Sequence, residues 1–130
     1  VTSDDADDPD AATSVIFSLS IHSEHPIAAF AGVPGRRRSP RPDDDFFYNF
    51  GTVTFSERDS ATRADRLEAE VHAALDRVYA TGIDLDELAL DAVFVKAFFT
   101  FGPGAETISA ELVQRLSRVH ATIWIDAVES

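Results

Sequence analysis

The sequence contains no cysteine. That removes disulfides, thiol nucleophiles and thiolate metal sites together, and it fits a reducing, cytoplasmic setting. Methionine is missing too, which leaves open a segment upstream of Val1. No apolar run reaches the roughly 18 residues that a spanning helix needs. The opening Val1-Thr-Ser-Asp-Asp5 lacks the basic and apolar regions of a secretory signal. Positive charge is scarce: 11 basic residues face 23 acidic ones, for a net charge of −12, and Lys96 is the single lysine. Such a balance repels phosphate backbones and anionic lipid, which argues against nucleic acid and membrane partners and suits a basic protein partner.

The 130 residues, 45% of them apolar, are enough for one domain with a real core. Five carboxylates crowd the first ten residues, and residues 1–12 are expected to form a disordered acidic tail. Residues 13–130 form the expected single domain. Thr13 to His22 alternates cleanly, with Val15, Phe17, Leu19 and Ile21 on one side and Ser18, Ser20 and His22 on the other, as in a half-buried strand. Ser23 to Gly32 predicts a short helix, with Ser23 as cap, Pro26 in the first turn, and Gly32 and Pro34 as the stop. Ile27 and Phe30 are its core contacts. Residues 32–45 combine glycines and prolines with Arg36, Arg37, Arg38 and Arg41 and then Asp43, Asp44 and Asp45. This is expected to be a mobile loop whose charges pair internally.

A second strand is expected over Phe46 to Ser56, with Val53 and Phe55 inward. Asp59 or Ser60 then caps a long helix that Gly82 closes. Leu67, Val71, Ala74, Leu75, Val78 and Tyr79 make its core stripe, and Arg63, Asp65, Arg66 and Glu68 belong to its solvated face. A connecting turn or one turn of helix over Asp84 to Leu90 leads to the most apolar stretch, the third strand, Asp91 to Phe101. Gly102-Pro-Gly104 is a turn rather than a phosphate loop, because it lacks the Gly-Lys-Ser/Thr ending. Ser109 caps the last helix, with Ile108 and Val113 as a hydrophobic staple. His120 to Val128 is the last strand, with Ile123 and Ile125 inward. The expected fold is α+β: a two-layer sandwich with a four-stranded mixed sheet and helices packed on one face. Strand–helix–strand units stand at both ends, joined by the long helix.

The run Ile108-Ser-Ala-Glu-Leu112, then Leu116, then His120-Ala-Thr-Ile-Trp-Ile-Asp126, resembles the closing signature of a family of small uncharacterised bacterial proteins, the domain-of-unknown-function family numbered 4279. The resemblance covers about residues 14 to 128, and its specific part is the last 20 or so. The chain departs from the family in the middle, where Phe50-Gly-Thr-Val53 stands in place of a tryptophan near the second strand. The family implies an α+β fold and supplies no catalytic residues.

Candidate sites follow from the outward positions. His22 and His25, spaced His-x-x-His, stand with Glu24 at the end of the first strand, and Asp126 is a distant carboxylate that folding could add. That set could hold a divalent metal or, with Ser20, attempt hydrolysis. Two histidines outside a regular helix, without a nucleophile elbow, are a weak basis for either. No catalytic residue, cofactor or metal is therefore assigned. His72 and His120 are read as structural or surface residues. The stronger pattern is Phe94, Lys96, Phe98 and Trp124, which share the side of the sheet that the helices leave open. Three large aromatics there form a patch that calls for a partner. RNA stacking is disfavoured by the acidic charge, so the expected role is a non-enzymatic interaction domain, most simply a homodimer.

Overall fold

In the computed structural model of the chain, the described residues are 13–37, 46–102 and 106–127. The expected acidic tail, Arg38, Arg41, Asp43 to Asp45 and Pro103-Gly104 lie outside them. The elements run β1 (Thr13–Ser23), a 3-10 turn (Ala28–Phe30), β2 (Gly35–Arg37), β3 (Phe46–Glu57), α1 (Ser60–Ala80), α2 (Leu85–Asp91), β4 (Ala92–Phe101), α3 (Ala110–Arg118) and β5 (Ala121–Ala127). The architecture is the expected α+β sandwich. The four expected strands stand in the order β3-β1-β4-β5, and the three-residue β2 adds a fifth at the β3 edge. β1 pairs antiparallel with both neighbours, and only β4 and β5 are parallel, across α3.

β1 is the centre because it is the most cleanly alternating segment. Val15, Phe17, Leu19 and Ile21 are all buried against the helical layer. Each such side chain contributes roughly 1.5–3 kcal/mol of burial free energy. Leu67, Val71, Ala74, Leu75 and Val78 of α1 meet them from above, joined by Leu112 and Leu116 of α3 and Leu88 of α2. α1 begins where the Asp59 carboxylate accepts from the Thr62 backbone N–H at 2.8 Å and its hydroxyl at 2.7 Å. It ends at Gly82, whose φ of 77° suits glycine. α2 is capped by Asp84, and α3 by Ser109, whose hydroxyl accepts from the Leu112 N–H.

Several expectations are corrected. The Ser23–Gly32 helix is only a 3-10 turn. Pro26 disfavours a helical conformation at His25, and Ser23, fully buried, donates to the His25 carbonyl instead of capping. The stretch expected as a mobile loop contains β2, which pairs with Phe46 to Tyr48. Tyr79 is exposed at the helix margin, where the Arg115 guanidinium sits over its ring. Val113 is exposed, outside the core that Leu112 and Leu116 enter.

Arg63 is not solvated. Its Nε donates to Glu106 at 2.6 Å, and its Nη1 donates to the Glu57 carbonyl at 2.8 Å. Both side chains are nearly excluded from water. Removing one partner strands the other charge. Arg63→Met is expected to lower the unfolding free energy in urea by about 3 kcal/mol, and adding Glu106→Leu should recover much of it. A single-variant loss below about 1 kcal/mol would show that the pair holds nothing together.

The hydrogen bonds from Thr62 hold the Asp59 carboxyl below its ordinary value of 3.8. A depressed carboxyl pKa stabilises the fold fully above the unfolded value and loses that contribution as pH falls through the folded one. An acid titration followed by circular dichroism should therefore show Asp59→Ala less stable than the parent at pH 6. The gap should close below the folded pKa, and one that stays constant down to that pH would rule out the carboxylate cap.

Candidate functional site

The face of the sheet opposite the helices is built by period-2 alternation on β1 and β4. Ser18 pairs with Phe98, Ser20 with Lys96 and His22 with Phe94; beyond β4, Phe98 pairs with Trp124 and Lys96 with Thr122. The inward set on β4 (Val95, Ala97, Phe99, Phe101) is buried, while Phe94, Lys96 and Phe98 are half-buried on the other side. All four residues named from the sequence, Phe94, Lys96, Phe98 and Trp124, thus share one face.

Their rings form a row across the strands. Trp124 lies near-parallel to Phe94 at 6.4 Å between centroids. Phe94 stacks on the His22 imidazole at 4.3 Å, and His22 meets Phe47 edge-on at 4.9 Å. The Lys96 ammonium stands 4.0 Å from the Trp124 ring centroid and 5.3 Å from that of Phe98. It stands as a cation against two π faces and, among the described residues, forms no ion pair with a carboxylate. His22 and Ser20 are buried on this face, 5% and 3% exposed, with the Ser20 hydroxyl 3.4 Å from His22 Nε2.

Phe47 belongs to this row, and sequence reading missed it. Strict alternation back from Val53 puts Phe47 inward and Tyr48 and Phe50 outward. A bulge reverses them: Leu19 pairs with Gly51 and Ser20 with Asn49, so Phe50 is an extra residue. Asn49 Oδ1 accepts the Gly51 N–H at 2.8 Å, and Arg77 donates to the Phe50 carbonyl at 2.8 Å. A Cβ on residue 51 would stand 2.7 Å from Arg77 Nη1. The signal in the sequence was Gly51 interrupting an aromatic strand.

The His22, His25 and Asp126 set is not brought together. His22 is level with Phe94, whereas Asp126 pairs with Thr100, six positions along β4, or about 20 Å. The physical reason is that β5 runs parallel to β4, so its carboxyl end lies level with the start of β1, at the opposite end of that strand from His22. His25 is exposed beyond β1 and lines a hollow of about 480 Å³ with Glu24, Pro26, Ile27, Leu90, Asp91 and Ala92. A second hollow of about 380 Å³ is lined by His72, Glu111, Gln114, Arg115 and Arg118. Two of these side chains are engaged with each other: Arg115 bonds His72 Nδ1 at 2.8 Å and also pairs with Asp76. Among the described residues, no three histidine, aspartate or glutamate side chains form a group able to hold a metal ion. No described helix is long and apolar enough to cross a membrane.

Replacing Phe94 by leucine keeps an apolar side chain but removes the two ring contacts that link His22 to Trp124. The variant is expected to lose about 1 kcal/mol of stability. Emission from Trp124, the single tryptophan, should shift to the red as the facing ring is replaced by a smaller side chain and water gains access. Unchanged stability and emission would mean that the row does not act as a unit.

No protein-family model, curated protein or solved structure matches the chain.

Proposed function

We propose that the protein is a non-enzymatic interaction module that self-associates through its open aromatic sheet face. The observation that carries this reading is a contrast of charge. The chain bears a net charge of −12. On the four main strands, the open-face positions from Ser14 to Asp126 carry one lysine, Lys96, and one carboxylate, Asp126. Interface cores are depleted in charge and enriched in aromatics, as this face is. A neutral aromatic surface on an acidic protein suits another neutral aromatic surface, and a second copy offers one by two-fold symmetry. Half-buried rings already packed in a row lose little side-chain entropy on docking.

The reading keeps the resemblance to the domain-of-unknown-function family numbered 4279, carried by Ile108 to Asp126, and with it a bacterial, cytoplasmic protein. A basic protein partner is a second reading, favoured by the exposed acidic groups Asp65, Asp76, Asp84, Asp86 and Glu87 on the helical side. Ionic strength separates the two: a basic partner is released by salt, whereas an apolar self-contact is not. A small-molecule role at His22, His25 and Asp126 loses its support with their separation along the sheet.

Sedimentation of the purified chain tests the main reading. A dimer is expected, with Phe98→Asp and Trp124→Asp each weakening it by roughly a thousandfold. Each change is made twice across a two-fold axis, at about 2 kcal/mol per hot-spot residue. Far-UV circular dichroism establishes that the variants remain folded. A wild-type monomer at high concentration, or a dimer indifferent to both changes, would end this proposal.

A further inference from the structure

β5 is an edge strand, paired on one side to β4 and, among the described residues, with no strand on the other. Its centre is apolar on both faces and exposed on both. Ile123 is 36% exposed, Trp124 45% and Ile125 59%. The two isoleucines were expected inward. They do share the alternation phase of the helix side, but β5 lies beyond the area where the helices cover it fully. Soluble proteins blunt such edges with lysine, proline, a bulge or a very short strand. β5 has seven residues, contains no lysine or proline, and pairs with β4 in unbroken register.

The sequence of this strand also reads nearly the same in both directions, with Thr122 and Asp126 the one unlike pair: Ala121-Thr122-Ile123-Trp124-Ile125-Asp126-Ala127. We propose that β5 pairs antiparallel with β5 of a second copy, centred on Trp124, so that the two sheets become one. An antiparallel two-fold axis perpendicular to the sheet imposes two conditions. Paired residues must point to the same side, so the axis has to pass through a residue rather than between two. Chemical types must also match across the axis. Centring on Trp124 sets Ile123 against Ile125 of the second copy, Thr122 against Asp126, and Ala121 against Ala127. Both aliphatic pairs then stand on the helix side, and each carboxylate faces a hydroxyl. Centring on Ile125 would set Trp124 against Asp126, and centring on Asp126 would oppose two carboxylates. Of these three centres, only Trp124 satisfies both conditions. The aromatic row of each copy would then meet its counterpart at the two tryptophans.

This edge is a different surface from the open face, and its isoleucines lie on the opposite side of the sheet. Cross-linking tests it cleanly because the chain has no cysteine of its own. Ile123→Cys and Ile125→Cys are prepared separately, mixed, and oxidised mildly. In the proposed register, position 123 of one copy and position 125 of the other are directly paired, within the Cα separation of about 4.4–6.8 Å that a disulfide needs. Like positions are about 8 Å apart, out of reach. The expected result is at least a tenfold excess of covalent dimer in the mixture over either variant alone. No excess overturns the proposal.

The double variant Ile123→Lys/Ile125→Lys, followed by sedimentation, separates this contact from the open face. A dimer lost with the lysines but kept with Phe98→Asp upholds the edge and overturns the face. The reverse outcome overturns the edge and leaves the face. If both dissolve the dimer, an excess in the mixed cross-link upholds the edge, and its absence overturns it.

Discussion

One extra residue in β3 decides which side chains meet on either side of the sheet. At Phe50 the strand takes two steps where β1 takes one, and every position before it changes face. Tyr48 and Phe50 thereby enter the core beside Phe30, at 5.2 and 5.0 Å between ring centroids, and Phe47 reaches His22 on the other side. The local cost of the irregularity is offset by three groups. Asn49 takes up the Gly51 amide, Arg77 takes up the Phe50 carbonyl, and the missing side chain at Gly51 lets α1 come close. The distortion fixes where the long helix crosses the sheet as well as which rings face away from it.

The helical layer shows why so many of the cations are arginine. Arg63 reaches Glu106 and the carbonyls of Glu57 and Arg58, tying the start of α1 to the end of β3 and to the approach to α3. Arg115 spans from α3 to His72, Asp76 and the ring of Tyr79 on α1. Arg66 lies over Phe55 at 4.4 Å. Each of these contacts uses a flat, multi-donor group that a lysine lacks. The single lysine stands on the other side of the sheet, where the task is different: a compact cation between two rings.

Much of this was legible in the residue pattern. The alternation of β1, the stripe of α1 apart from Tyr79, the cap at Ser109 and the two-sided nature of β4 follow from local periodicity and capping chemistry, while the cap of α1 was narrowed to Asp59 or Ser60 and the structure selects Asp59. Phe94, Lys96, Phe98 and Trp124 could be placed together because β4 and β5 are regular. What was not legible depends on tertiary context. The bulge at Phe50 interrupts a period that pattern reading assumes continuous. Burial of Arg63 depends on Glu106, 43 positions away. The exposure of Ile123 and Ile125 reflects how far the helices extend over the sheet, which no local pattern encodes. His25 was associated with His22 by their His-x-x-His spacing and Asp126 by its outward position, and strand direction then carried Asp126 to the other end.

The position of β1 has a consequence for how the chain reaches this fold. The first strand in sequence is the middle strand in space, and Val15 pairs with Phe101 while Thr13 pairs with Glu57. Its antiparallel partner on one side is made early, but the other arrives only after two helices have been threaded past. Until then one edge of a strongly apolar strand is unsatisfied. Closing such distant pairs costs loop entropy before burial rewards it, which puts the domain among the slower folders of its size. During synthesis the half-sheet of β1 and β3 waits for β4 to leave the ribosome, and that waiting species is the one most exposed to aggregation or in need of a chaperone.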